Sequence, residues 1–142
     1  MPVGPTPYFV LIDRALRDEG TSYHYLPPGD FAPADPNLLD RAMGALAHRK
    51  PQVHRGATWT TDAPFRETEA ALERARSLDL LAVEMEAAAL YAFATACCRP
   101  VLCFAHVTNQ MAQIDGDFDK GEANGAADAL ELLAAVGRAC MP

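Results

Sequence analysis

Two carboxylates lie two positions apart in the stretch Val83-Glu84-Met85-Glu86-Ala87-Ala88-Ala89-Leu90. In an extended segment such residues face the same side, so Glu84 and Glu86 can converge on two neighbouring hydroxyls of the kind a ribose presents. A carboxylate only accepts hydrogen bonds, which suits hydroxyl donors. A local alternative competes with this: Glu86 caps the N-terminus of a following helix, where the dipole favours negative charge, and Glu84 is solvated. Spacing alone leaves both open. Other patterns carry less. Asp115-x-Asp117-x-Asp119 opens like a calcium loop, but Lys120 stands where the loop needs glycine and Ala126 where it needs a bidentate glutamate. Cys103 and His106, three apart, point to opposite faces of a strand and form no nucleophile pair. His24, His48, His54 and His106 include no i, i+4 pair, and no C-x-x-C occurs, so no metal site is expected. Cys97 and Cys98, adjacent in an alanine-rich helical stretch, do not resemble a disulfide framework, and the four cysteines read as small buried hydrophobes.

The elements around these residues follow from hydrophobic period and punctuation. Tyr8–Ile12 reads as a buried strand ended by Asp13. From Arg14 to Pro36 the glycines and prolines predict a long ordered excursion holding at most a short strand, with Tyr23-His24-Tyr25 as an aromatic island. Asn37–Arg49 has apolar residues at helical spacing after Pro36 and ends in His48-Arg49-Lys50-Pro51, as the helix dipole favours. Val53–Trp59 predicts a strand leading into the turn Thr60-Thr61-Asp62-Ala63-Pro64. Glu67–Ser77 predicts a helix, Leu80–Val83 a short strand, Glu86–Cys98 a helix buried on most sides, and Val101–Val107 a strand buried on both faces. The closing helix, Asn124–Cys140, is expected to face the core with Ala127, Leu130, Leu133, Ala134 and Gly137. Strands alternating with helices mean a single α/β domain over residues 1–142 with a largely parallel sheet. Because Tyr8–Ile12 begins so near the N-terminus, an open sheet edge is expected beside it.

Composition narrows the functional classes. Asp and Glu number 19 against 12 Lys and Arg, a net charge of −7, which disfavours nucleic-acid binding driven by phosphate neutralisation. Half the residues are apolar and 22 % are charged, which supports a packed core and excludes disorder. No apolar run approaches the roughly 18 residues of a membrane span. Residues 1–7 have neither the basic start nor the apolar core of a signal peptide, so the reading is cytoplasmic.

Glu84-Met85-Glu86-Ala87 after Leu80–Val83 resembles the ribose-binding signature of the nucleoside phosphorylase and nucleosidase superfamily, which includes hexameric-type purine nucleoside phosphorylases, uridine phosphorylase and methylthioadenosine nucleosidase. Four further segments resemble the family in order: Arg17–Tyr25 the excursion after a central strand, Gly56–Phe65 the strand and turn with the base-stacking aromatic, Ala105–Asn109 the strand end that contacts the base, and Gly116–Gly121 the lead into the last helix. The likeness covers nearly the whole chain. It implies a three-layer α/β/α sandwich around a mostly parallel mixed sheet, in the C-terminal portion of a phosphorylase. It implies that Glu86 binds the 2′ and 3′ hydroxyls, Met85 packs on the sugar and Glu84 supports them. Phe65, and less readily Trp59, would give the base a flat face, although the family's aromatic falls at Pro64.

The resemblance gives Asn109 the base-contacting role. Adenosine-cleaving members carry there an aspartic acid able to protonate purine N7, which asparagine cannot do near neutral pH. Its amide both donates and accepts, matching a 6-oxopurine or uracil. A local alternative is an asparagine that ends its strand on nearby backbone. Uridine phosphorylases follow this position with arginine, where this chain has Gln110. The family's phosphate cradle, a Gly-rich loop with an arginine, lies upstream of the strand matching Tyr8–Ile12. Before that strand this sequence has only Gly4 and no arginine, so no phosphate-binding residue is assigned. The implied activity is phosphorolysis of a ribonucleoside to base and ribose 1-phosphate, with inorganic phosphate as co-substrate, no other cofactor, and a homo-oligomeric assembly. The alternatives are an incomplete nucleoside-binding or oligomerising fragment without turnover, and a nucleosidase. Without the cradle, turnover by the 142 residues is expected at no more than about one-thousandth of an intact relative's rate, roughly 4 kcal/mol of barrier.

Overall fold

The computed structural model describes residues 3–47, 52–109 and 121–140. Its elements alternate as the apolar periods predict. Strand β1 covers Tyr8–Asp18 and β2 Phe31–Pro33, helix α1 is Pro36–Leu46, β3 is Val53–Thr61, α2 Glu69–Ser77, β4 Leu80–Glu84, α3 Ala87–Cys97, β5 Phe104–Val107 and α4 Ala126–Cys140. Short 3-10 turns occupy Ser22–His24, Pro64–Arg66 and Glu122–Gly125. Among the described residues no helix is long and apolar enough to cross a membrane.

Local chemistry sets the helix starts. Asp35 accepts hydrogen bonds from the amides of Asn37 and Leu38, and Pro36 fills the first turn, where its missing N–H costs nothing. Thr68 caps α2 by accepting from the amide of Ala71, so the helix starts at Glu69, two residues later than the expected Glu67. The expected end of α1 at His48–Arg49 lies outside the described residues, as do Gln110 and the acidic run Asp115–Asp119.

Five strands form one mixed sheet. β1 pairs in parallel with β3, and β3 in parallel with β4, while β2 and β5 lie antiparallel on the other side of β1. The expected open edge beside Tyr8–Ile12 is absent: β5 covers Tyr8–Leu11 and β2 covers Arg14–Leu16. Two short antiparallel strands therefore do together what one long neighbour would. β1 also runs past Asp13, because the register shifts between Ile12 and Arg14 and absorbs the aspartate as a bulge, after which Ala15, Leu16 and Arg17 are buried again. The sheet is less parallel than the pattern suggested, and only residues 104–107 of the expected Val101–Val107 strand pair, with Ala105 alone buried among them.

Residues two apart on β3 assign the layers. Arg55 pairs with Asp40 of α1 at 3.3 Å, and Ala57 and Trp59 pack with Leu72 and Ala75 of α2, so these helices cover one face. α4 packs on α1 and joins that layer. Thr58 and Thr60 point to the other face, where α3 sits. There Tyr91, fully buried, donates its hydroxyl to the carbonyl of Ile12 at 2.6 Å and accepts from the amide of Cys103 at 3.0 Å, tying α3 to β1 and to the approach of β5.

Two expectations about helix faces are corrected. On α4 the core residues are Leu132, Ala135 and Val136, whereas Leu130 and Leu133 of the expected inner stripe are 67 % and 55 % exposed. On α3, Ala87, Ala88, Tyr91 and Ala92 are buried, but Leu90 and Phe93 are 43 % and 38 % exposed, so this helix is not buried on most sides.

Candidate functional site

Parallel pairing brings the carboxyl ends of β3 and β4 together, with Thr60 opposite Glu84. In an α/β sheet this end, where strands give way to loops and helix N-termini, is where ligands bind. Here the two carboxylates separate in role. Glu84 faces α3, and its Oε1 accepts from the hydroxyls of Thr58 at 3.0 Å and Thr60 at 2.5 Å. Its Oε2 accepts from the amides of Glu86 at 2.8 Å and Ala87 at 2.6 Å. The residue that caps α3 is therefore Glu84, reversing the local alternative in which Glu86 would cap. Glu86 occupies the N-cap position without a side-chain cap, is exposed, and among the described residues accepts from its neighbour Met85 N at 3.3 Å. Met85 beside it is half exposed.

The aromatic candidates are placed very differently. Phe65 is 99 % exposed in the turn Pro64–Arg66, on the connection that leaves the same end of β3. Trp59 is 6 % exposed, packs with Leu16, Ala57 and Leu80 on the α2 face, and donates Nε1 to Asp18 at 2.8 Å. It points away from the face of Glu84, and its ring is almost wholly covered. A tryptophan alternating with Thr58 and Thr60 on a strand takes the apolar face, because the hydroxyls satisfy the polar one.

Asn109 is exposed two residues beyond β5. The antiparallel register sets Val107 opposite Tyr8 at the start of β1, while Thr60 lies opposite Arg17 near its end. Strand pairing among the described residues thus directs Asn109 and Glu86 toward opposite ends of β1 and does not set them side by side.

Three further residues, given no role by the sequence motifs that contain them, shape the site. Thr58 and Thr60 carry the site's internal hydrogen bonds, and their alternation on β3 was the available signal. Arg17, buried on the same face, donates Nε to Ser22 Oγ at 2.8 Å, Nη1 to the Pro27 carbonyl at 2.7 Å and Nη2 to the Leu26 carbonyl at 3.2 Å. Its guanidinium lies 4.2 Å from the Tyr23 ring centroid. This folds the excursion back so that Tyr25 meets Phe93 of α3 edge to face, with ring centroids 5.7 Å apart.

Burial dominates the titration of the neighbouring thiol. It pushes Cys103 from 9.0 up to about 12; the Tyr91 hydroxyl opposes this, and the negative charges of Glu84 and Glu86 add to it. Cys103 is therefore a protonated thiol near neutral pH and a poor nucleophile.

Residues 5–140 match the family described as the phosphorylase superfamily. A purine nucleoside phosphorylase of the DeoD type from Hahella chejuensis is 36 % identical over 83 residues, which are 58 % of this chain and 35 % of that protein. A guanosine phosphorylase from Halorubrum lacusprofundi is 32 % identical over 85 residues, 60 % of this chain and 35 % of that protein. The crystal structure of an AMP nucleosidase from Bacteroides thetaiotaomicron superposes with a TM-score of 0.74 at 22 % identity, covering 93 % of this chain and 54 % of that one, which shows a shared fold. The matched part is thus about a third of the curated relatives' length.

Proposed function

Because the chain belongs to the phosphorylase superfamily, we propose that it holds a ribonucleoside by its sugar, with Glu86 accepting from the 2′ and 3′ hydroxyls, Met85 packing on the ribose and Phe65 offering its face to the base. The observation that supports this most directly is the contrast between the carboxylates: Glu84 spends both oxygens on internal donors, and Glu86 keeps its own exposed beside Met85. Cleavage of an N-glycosidic bond builds positive charge on the sugar, so a carboxylate fixed at the diol both orients the ring and opposes that charge. The chemistry proposed is phosphorolysis to base and ribose 1-phosphate. The names of the purine and guanosine phosphorylase relatives favour a 6-oxopurine over uracil. Asn109 enters only through the family resemblance.

Calorimetry tests the sugar contact. Inosine or guanosine should bind more tightly than the 2′,3′-dideoxy analogue, and Glu86→Gln should remove that preference. Each charge-assisted bond is worth about 1.5–3 kcal/mol, so the loss should be roughly tenfold or more. Equal affinity of the wild-type chain for both ligands overturns the reading.

Binding without turnover is the second reading, favoured by the register that separates Asn109 from Glu86. Following base release with and without phosphate separates the cases. Phosphate-dependent release means a phosphorylase, phosphate-independent release a nucleosidase, and binding without release a nucleoside-holding module.

A further inference from the structure

We propose that Thr60 and Glu84 form a positioning pair that aims Glu86, and that Glu84 itself takes no ligand. This rests on the ribose reading above. The argument begins with the first turn of α3. Helix N-termini leave amides without intrahelical acceptors, and such a turn is ordinarily free to fray. Here three consecutive amides are taken up by two side chains from the sheet: Glu86 and Ala87 donate to Glu84 Oε2, and Ala88 donates to Thr60 Oγ1 at 3.0 Å. Thr60 in turn donates its proton to Glu84 Oε1, beside Thr58.

The carboxylate of Glu84 thus accepts from four donors, which fills the acceptor sites of its two oxygens and leaves none for a substrate hydroxyl. The network joins β3, β4 and α3 at one point. Because it grips the amide of Glu86 itself, it fixes the backbone, with φ −130° and ψ −33°, from which the exposed Glu86 side chain departs. A diol contact needs that precision, since displacement of a positioned group by about 1 Å can cost on the order of a hundredfold.

The hydroxyl of Thr60 is irreplaceable in this scheme because it works in both directions. Valine has nearly the same shape and would leave Glu84 short of a donor and Ala88 short of an acceptor. Serine keeps both functions. In Glu84→Gln the amide oxygen can stay on the two backbone N–H groups while the NH2 turns to the threonine hydroxyls, which can rotate to accept. That variant should be milder than Thr60→Val.

The test uses the full chain and the ratio of inosine to 2′,3′-dideoxyinosine affinity, with thermal denaturation recorded alongside. Thr60→Val should lower the ratio by about tenfold or more, Thr60→Ser should stay within about threefold of wild type, and Glu84→Gln should fall between them. A role in stability alone would lower the melting temperature of Thr60→Val without moving the ratio, and that result overturns the proposal while leaving the ribose reading intact. A wild-type ratio of one fells the ribose reading and the proposal with it. Amide hydrogen exchange on the unmodified chain is decisive even if Thr60→Val fails to fold. The amides of Glu86, Ala87 and Ala88 should exchange slowly, and solvent-like exchange there overturns the positioning pair.

Discussion

At the scale of single residues, the buried hydroxyl of Tyr91 does more than fill space. It bridges the Ile12 carbonyl and the Cys103 amide, donating to the one and accepting from the other. Tyr91→Phe keeps the ring and removes the bridge, so it should cost about 1–3 kcal/mol for each group stranded, measured by urea denaturation. The same neighbourhood sets an alkaline limit. Burial pushes the Cys103 thiol from its ordinary 9.0 up to about 12 and raises Tyr91, and elsewhere on β1 Tyr8, above the usual 10.0. The folded state holds these protons where the unfolded chain releases them. The stability they contribute is complete below about pH 9 and is lost as pH rises toward 12. Cys103→Ala should flatten part of that decline in a pH series of melting curves. At pH values near 8, alkylation followed by mass spectrometry should modify the exposed Cys97 and Cys98 ahead of Cys103.

Among the elements, α4 shows what a helical period leaves undecided. The helix carries two apolar stripes. One runs through Ala127, Leu130, Leu133, Ala134 and Gly137, the other through Ala129, Leu132, Ala135, Val136 and Cys140, and both fit a 3.6-residue repeat. Packing against α1 buries the second. Leu132→Ala should therefore cost about 2–5 kcal/mol, whereas Leu133→Ala should stay within about 0.5 kcal/mol of wild type. The entry to this helix is equally constrained. Gly125 has φ +74°, and a Cβ there would stand 2.2 Å from the His106 ring, so Gly125→Ala should displace the His106 ring and destabilise the domain by roughly 1–3 kcal/mol in the same assay.

Across the whole molecule, the two faces of the sheet are unequally covered. α1, α2 and α4 share one face, and α3 stands on the other with Leu90, Phe93, Met85 and Tyr25 exposed. With both sides of β1 paired, its strand edges offer no template there for another chain, and α3 instead exposes apolar side chains. We propose a dimer or larger assembly built through α3 and the Tyr23–Tyr25 turn. Sedimentation should show it, and Phe93→Glu should dissociate it. A compact monomer for the wild-type chain would refute the assembly without touching the ribose reading.

Much of this architecture was legible in residue order alone. The alternation of strands and helices, the start of α1 after Pro36 and the Glu84-x-Glu86 pair are local patterns, set by period and dihedral preference within a few residues. What needed the tertiary structure was every choice between equivalent local options. Glu84 rather than Glu86 is consumed because its partners, Thr58 and Thr60, lie 26 and 24 residues away. Trp59 is core and Phe65 free because one face of β3 meets α2. The second stripe of α4 is buried because α1 happens to oppose it. β1 is central because β2, the next strand in the chain, and β5, far along it, divide its outer side. Local sequence offers a carboxylate, an aromatic ring or an apolar stripe, and only long-range packing decides which hydrogen bonds and contacts are already spent.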